Sequence, residues 1–199
     1  MINIKINSNS ISPSHPTYFI ADIAANHDGD LERAKDLIYL AKEAGANAAK
    51  FQHFEAEKIV SDYGFTRLGK QKSHQANWDK SVFEVYKAAE CDRRWTEELV
   101  TTCHKANIEF MTTPYDFEAI DFFAPYLAAY KVGSGDITWI EALEKIASKR
   151  KPLLLATGAS SMEDVERAIN AIMPINPKII LMLPSQETIQ RTVLAMQHL

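Results

Sequence analysis

Cysteine is scarce in this chain, which has only two cysteines among its 199 residues. Cys91 and Cys103 form neither the framework of a disulfide-stabilised scaffold nor the paired spacing of a zinc site. Both stand beside polar, helix-like sequence, and a reducing compartment is the simplest explanation of two such thiols. We therefore expect a cytoplasmic protein without a disulfide framework.

Long apolar runs and an excess of positive charge are also missing. No stretch approaches the length that a membrane span needs, and the initial segment MINIKINSNS has no apolar core of the signal-peptide type. The formal net charge is -4, whereas nucleic-acid-binding proteins are normally basic with clustered Lys and Arg. We therefore expect neither a membrane nor a nucleic acid as a partner.

What the sequence does contain is a regular alternation of two kinds of segment. Short apolar runs, which we interpret as buried strands, alternate about six times with segments whose apolar residues recur at helical spacing. The run 17–26, for example, precedes a helical pattern over 30–45 that ends at Gly45. A further helix is predicted within 185–199. This order is typical of a parallel sheet covered by helices.

Two α/β architectures fit this alternation. One is a doubly wound open sheet, and the other is a parallel (β/α) barrel of the TIM type. A complete barrel needs eight βα units and typically ~250 residues. Because about six units can be counted here, the barrel interpretation predicts an incomplete barrel with about six of the eight βα units.

Polar residues are concentrated where the predicted strands end, and in a parallel α/β protein these ends lie on one face. Two lysines, several hydroxyls and glycine N–H groups on one face suit a phosphate or carboxylate ligand. The two carboxylates could bind hydroxyls or move protons. The residues are Asp22, Lys50, Gln52, Thr112, Thr113, Lys131, Ser134, Asp136, Thr157 and Gly158.

Other interpretations of these residues remain open. Asp22 could form a structural ion pair with Lys50, and Lys131 could act as the Schiff-base lysine of an aldolase-like barrel. The segment NHDGD could bind a metal or a substrate, or it could be a turn in which Asp30 caps the following helix. The histidines show no i,i+4 pair and no tight cluster, so a metal site within this chain has little support.

Several separated motifs, in order from about residue 17 to about residue 182, resemble those of the N-acylneuraminate (sialic acid) synthase family. That family has a TIM-barrel fold, usually followed by a small antifreeze-like domain. Its enzymes condense phosphoenolpyruvate with an N-acylated hexose, such as N-acetylmannosamine or a bacterial analogue, to a nine-carbon 2-keto acid and release phosphate. The motifs are FIADIAANHDGDLERAKDLIYLAKEAGANAAKFQ, FMTTPYDFEAIDFF, AYKVGSGDITWIEALEKIA and KPLLLATGASSMEDVERAI.

The resemblance implies a role for each matching residue. Lys50 and Lys131 would bind phosphoenolpyruvate, and Thr113 and Ser134 would contact its phosphate or carboxylate. Asp22 would be a proton-transfer group near Lys50. The residues that would contact the sugar are Gln52, Asn77 and Asp136.

This sequence departs from the family pattern at several positions. Asp22 and Asp136 stand where the family usually has Glu, which keeps the charge but shortens the reach, and Ala156 replaces a common Ser. After residue 182 the divergence is abrupt. The metal-binding histidines and the antifreeze-like domain have no counterpart, so the resemblance predicts one truncated barrel domain over residues 1–199.

These departures define what is expected of the chain. The manganese or magnesium ion of the complete family enzyme is not expected to be bound by this chain alone. The family tends to form homodimers, so self-association is plausible. A truncated or frame-disrupted gene product would have such a sequence, and the alternative to a synthase is then a non-catalytic remnant or a self-associating fragment with open barrel edges.

Overall fold

Six parallel strands and the helices between them form the body of the protein. The computed structural model describes residues 4–67, 80–183 and 192–194. The strands are β1 Ile4–Ile6, β2 Asn9–Ile11, β3 Ile20–Ala24, β4 Ala48–His53, β5 Glu109–Pro114, β6 Tyr130–Val132, β7 Leu153–Ala156, β8 Ile179–Leu183 and β9 Thr192–Leu194. The helices are α1 Leu31–Glu43, α2 Ala56–Ile59, α3 Asp62–Arg67, α4 Val82–Ala88, α5 Thr96–Ala106, α6 Phe117–Phe123, α7 Ile140–Ser148 and α8 Met162–Ile172, with a 3-10 turn at Arg93–Trp95.

The strands are neighbours in chain order. Strands β3, β4 and β5 pair in parallel, as do β6, β7 and β8, and β5 lies against β6. A doubly wound sheet would instead reverse its strand order at a switch point. The order therefore confirms the predicted partial (β/α) barrel, with six parallel strands among the described residues.

The strands are buried on both faces, and the side chains of successive residues point to opposite faces. On the outer side, Phe51, Phe110 and Leu155 pack with the apolar residues of the covering helices. On the inner side, a separate apolar cluster fills the amino-terminal part of the barrel. It contains Ala48, Met111, Ala129, Leu154 and Ile180. Residues two positions further along these strands therefore face the same interior, closer to the carboxyl ends.

A short antiparallel hairpin, β1–β2, covers the amino-terminal end of this interior. Ile4 and Ile6 are 4% and 1% exposed and pack in the inner cluster with Tyr18. The hairpin was not predicted, because each strand has only three residues and a period of two cannot be recognised over so short a segment. It closes one end of the barrel and leaves the carboxyl end as the accessible face.

The ends of the long helices are fixed by local sequence. Asp30 precedes α1, and its carboxylate accepts a hydrogen bond of 3.0 Å from the N–H of Arg33, which confirms it as the N-cap. Gly45 follows the helix with φ of 87°, a conformation that favours glycine. Ser161 and Asp164 form a capping box at the start of α8. None of the helices within the described ranges is long and apolar enough to cross a membrane.

The prediction of a helix within 185–199 is wrong at Thr192–Leu194. These residues form β9, which pairs antiparallel with β8 and aligns Val193 with Met182. The helical period of the segment was outweighed because the edge of β8 offers unpaired backbone N–H and C=O groups, and a strand can satisfy them. Two of the three residues of β9 are β-branched, which suits a strand.

Candidate functional site

Lys50 and Asp22 form an ion pair inside the barrel. Lys50 lies on β4, only 4% exposed, and its register neighbour on β3 is Asp22. The Lys50 Nζ donates to Asp22 Oδ1 at 2.7 Å, while the Asp22 side chain is 49% exposed. Beyond Asp22 the strand register shifts, and Ala24 has φ of 52°. The ion pair expected under the structural interpretation is therefore present, and it reaches solvent through its carboxylate.

Lys131, on β6, is buried without a carboxylate partner. It is 6% exposed, and its Nζ donates to the backbone carbonyl of Val132 at 3.0 Å. Within the described ranges, no carboxylate lies at ion-pair distance from this amine. Burial and then the positive charge of Lys50 lower the pKa of Lys131 to about 8, against the opposing charges of Asp22 and Asp136. The two lysines are thus close enough to influence each other.

The turn after β6 places Asp136 beside the lysines. The N–H of Asp136 donates to the carbonyl of Gly133 at 3.2 Å. A Cβ at Gly133 would lie 3.0 Å from Asp136 Oδ2, so the lack of a side chain at this position lets the carboxylate approach the turn. Burial raises the pKa of Asp136, and Lys131 opposes that shift. Ser134 is half-buried in the same turn, and its carbonyl accepts a hydrogen bond from Ser160.

The two threonines of β5 point to opposite faces. Thr112 lies on the outer side, where its Oγ1 donates to the carbonyl of Phe51 and lies 2.8 Å from His53 Nδ1. Its predicted place on the rim with the other polar groups is therefore wrong. Thr113, aligned with Gln52 of β4, faces the interior and is 2% exposed. Thr113 is thus the threonine that can contact an interior ligand.

A cavity of about 530 Å³ opens beside the charged residues. Gln52 and Asp136 contribute its polar wall, and the Gln52 amide donates to the hydroxyl of Tyr115 at 3.0 Å. The residues that line it are Gln52, Phe54, Lys58, Ile59, Val60, Tyr86, Tyr115, Asp136 and Trp139. Its size and its mixed lining are those of a small-molecule site.

The sequence analysis missed the aromatic residues of this cavity. Phe54 and Tyr115 directly follow β4 and β5, so the rule that ligand sites lie at strand ends could have identified both. Only the polar residues at strand ends were predicted to bind a ligand, so neither aromatic residue was included. Of the predicted site residues, Asn77 lies outside the described residues.

The structure brings most of the predicted site residues to one place. Asp22 and Lys50 are in contact, Lys131 interacts electrostatically with both, and Gln52 and Asp136 share the cavity. Thr157, in contrast, directly follows β7 and uses its hydroxyl to donate to the carbonyl of Met182 on β8. The arrangement combines two cations for an anionic ligand with a half-buried carboxylate, Asp136, that can exchange a proton or bind a hydroxyl.

The described side chains do not fit the divalent metal that the resemblance implies for the complete enzyme. Among the residues that the structure describes, no group of three or more His, Cys, Asp and Glu side chains could hold a metal ion.

Comparison with known proteins assigns the chain to a family. The sequence model of the NeuB family matches residues 37–194. An N,N'-diacetyllegionaminic acid synthase of Legionella pneumophila is 36% identical over 174 residues, which are 86% of this chain and 48% of that protein. Human N-acetylneuraminate-9-phosphate synthase is 32% identical over 84% of this chain and 46% of that protein. The chain spans about half the length of the curated relatives that it matches.

A solved structure supports the same assignment. The crystal structure of the N-acetylneuraminic acid (sialic acid) synthetase of Leptospira borgpetersenii, in complex with citrate, superposes with a TM-score of 0.77 at 28% identity. The match covers 94% of this chain and 62% of the chain in that crystal structure. The resemblance seen in the motifs is thus confirmed over most of the sequence, and the chain belongs to the NeuB family.

Proposed function

We propose that this chain supplies the phosphoenolpyruvate site and part of the sugar site of a sialic-acid-type synthase in carbohydrate biosynthesis. The reaction would join phosphoenolpyruvate to an N-acylated hexose, such as N-acetylmannosamine or a bacterial analogue, and release phosphate. Because the chain spans about half of its curated relatives, this activity is proposed for the whole protein. The homodimer, the manganese or magnesium ion and the cytoplasmic location belong to the same proposal.

One observation carries the proposal: two nearly buried lysines, Lys50 and Lys131, lie close together inside the barrel. Among the described residues these two buried cations have one ion-paired carboxylate, Asp22, which favours an anionic ligand. Phosphoenolpyruvate has a phosphate and a carboxylate a few bonds apart, so each lysine could contact one of them. Thr113 and Ser134 would add hydroxyl donors from β5 and from the turn after β6.

The cavity beside the lysines would hold the sugar. Gln52, oriented by Tyr115, and Asp136 would contact sugar hydroxyls. In the reaction, carbon 3 of phosphoenolpyruvate forms a bond to the aldehyde carbon of the open-chain sugar, whose oxygen takes up a proton. Water adds at carbon 2 and phosphate leaves from that carbon, which becomes the keto carbon. Asp22, half exposed beside Lys50, is the group proposed to transfer a proton.

Binding of phosphoenolpyruvate tests this proposal directly. Lys131→Ala should weaken binding by about tenfold to a hundredfold, because a charge-assisted contact contributes about 1.5–3 kcal/mol. Isothermal titration calorimetry on the full chain measures the affinity. Lys105→Ala, which changes an exposed lysine on α5, is the matched control and should bind like the parent. Equal affinity of Lys131→Ala and the parent would refute the site assignment.

A further inference from the structure

The carboxyl ends of β4 and β5 are bridged by Arg93, which lies in the 3-10 turn before α5. Its terminal nitrogen Nη2 lies 2.9 Å from Glu55 Oε1 and also donates a hydrogen bond to Asp116 Oδ2. Glu55 and Asp116 each stand two residues beyond the end of their strand. A single guanidinium nitrogen therefore connects the chain segments that leave two neighbouring strands.

The Arg93–Asp116 part of this bridge is largely withdrawn from water. The two side chains are 24% and 12% exposed, so their attraction is screened less than that of a surface ion pair. Asp116 Oδ1 accepts a hydrogen bond of 2.7 Å from the N–H of Ala119 at the start of α6, and the Thr96 hydroxyl donates to the carbonyl of Arg93 at 2.7 Å. The backbone around each partner is thus held in place.

The residues just before the two carboxylates form part of the aromatic wall of the cavity. Phe54 precedes Glu55, Tyr115 precedes Asp116, and both aromatic residues line the cavity. Their ring centroids are 5.9 Å apart with the planes at 88°. The Tyr115 hydroxyl also accepts the hydrogen bond from the Gln52 amide. The distance between the two strand ends therefore determines this ring contact and the orientation of the amide.

We propose that Arg93 is a positioning residue for the sugar site. By holding the ends of β4 and β5 together, it fixes Phe54 and Tyr115 and, through Tyr115, the Gln52 amide that would contact the sugar. Arg93 is not among the described residues that line the cavity, so it acts through its neighbours. The inference rests on the proposed function, in which this cavity binds the sugar.

Lys58 contacts the same two carboxylates and limits the size of the expected effect. Its Nζ lies 3.0 Å from Glu55 and 3.5 Å from Asp116, and it also donates to Glu118 at 2.9 Å. Without Arg93, Asp116 would keep this longer contact. Loss of the arginine should therefore loosen the two strand ends without separating them.

Hydrogen–deuterium exchange of the full chain tests the bridge without any ligand. Arg93→Ala should speed exchange of the backbone N–H groups over 54–60 and 115–120 by about tenfold. Arg94→Ala is the matched control, because Arg94 is 89% exposed and pairs with Asp92 next to its own turn, and it should exchange like the parent. Equal exchange in Arg93→Ala and the parent would overturn the proposal.

Calorimetric titration with N-acetylmannosamine, with phosphoenolpyruvate present, measures the consequence for the cavity. Arg93→Ala should bind the sugar about tenfold more weakly, because a site loses affinity when its supporting contacts loosen, and should bind phosphoenolpyruvate like the parent. Arg94→Ala should bind both ligands normally. Parental sugar affinity in Arg93→Ala would contradict the inference. A parent that binds no sugar would instead count against the proposed function, and the exchange result would then decide whether Arg93 holds the strand ends.

A double-mutant cycle tests the route through Tyr115. Tyr115→Phe removes the hydroxyl that orients Gln52, so combining it with Arg93→Ala should weaken sugar binding little beyond the weaker-binding single variant. Losses that simply multiply, as expected for a merely structural role, would overturn this route. Glu55→Gln alters the other end of the bridge, at a side chain that is 39% exposed. It should shift sugar affinity in the same direction, and it replaces Arg93→Ala if circular dichroism shows that variant to be unfolded.

Discussion

The chemistry of individual side chains in this protein depends more on the groups they contact than on their position along the strands. Lys50 and Lys131 are similarly buried at the inner face of neighbouring strand groups, but only Lys50 has a carboxylate within ion-pair distance among the described residues. The sequence predicted that both lysines lie at strand ends. It also offered the Asp22–Lys50 ion pair as one interpretation, and the parallel register of β3 and β4 explains why that pair forms.

Two histidines behind the site predict how stability depends on pH. His27 and His53 are fully buried, and within the described residues their Nε2 atoms have no hydrogen-bond partner. Burial lowers the pKa of both, to about 3 for His53, where Arg93 adds to the shift and Asp92 opposes it. A buried imidazole of this kind resists protonation.

The direction in which stability changes with pH follows from the unfolded state, in which a histidine titrates near its ordinary pKa of 6.5. Below that pH the unfolded chain binds more protons than the folded one, so stability falls as the pH drops from about 6.5 toward 3. The loss is up to about 1.4 kcal/mol per histidine and pH unit. Urea unfolding at pH 7.5 and pH 5 should show it, and His53→Phe should reduce the difference.

The control for this prediction is His104→Gln on α5, which should leave the difference between the two pH values unchanged because its side chain is exposed. If the parent and His53→Phe lose the same free energy of unfolding between pH 7.5 and pH 5, the buried imidazole is not the cause.

At the scale of elements, the turn between β6 and α7 connects fold and site. Gly133→Ala would place a Cβ 3.0 Å from Asp136 Oδ2 and push the carboxylate away from its present position. We expect binding of N-acetylmannosamine, measured calorimetrically with phosphoenolpyruvate present, to weaken by about fivefold or more. Gly135→Ala in the same turn meets no atom within 4 Å and should bind normally. Equal affinities of the two variants would argue against a role for Asp136 in sugar binding.

The elements also show what could be predicted from sequence. The six parallel strands and the helices between them were recognised because buried apolar runs alternate with capped amphipathic segments, as at Asp30 and Ser161. The hairpin β1–β2 is too short to show a period. The helix predicted at the end failed at Thr192–Leu194 because pairing with β8 is a tertiary effect. For the same reason Phe54 and Tyr115 went unnoticed, since their common cavity exists only in the folded chain.

At the scale of the whole molecule, a partial barrel has strand edges whose backbone N–H and C=O groups must be paired or covered. Strand β9 covers the edge of β8 by antiparallel pairing, with Met182 opposite Val193. Val193→Pro should break this pairing, because proline cannot donate to a strand ladder, and should expose the edge of β8. Sedimentation velocity should then show concentration-dependent association beyond that of the parent.

Val193→Thr provides the matched control for the edge prediction. Threonine keeps the backbone N–H and a β-branched side chain, so this variant should sediment like the parent. Identical sedimentation of Val193→Pro and Val193→Thr over the same concentrations would show that β9 does not protect the edge.

The hairpin β1–β2 has a further consequence for how the barrel works. Since Ile4 and Ile6 cover its amino-terminal end, a ligand cannot reach the interior from that end. Lys50 lies deeper than Gln52, which follows two residues later on the same strand and borders the cavity. A molecule held in the cavity would therefore stand above the lysines and obstruct their access. With phosphoenolpyruvate at the lysines and the sugar in the cavity, as proposed, this geometry would favour binding of the anion before the sugar.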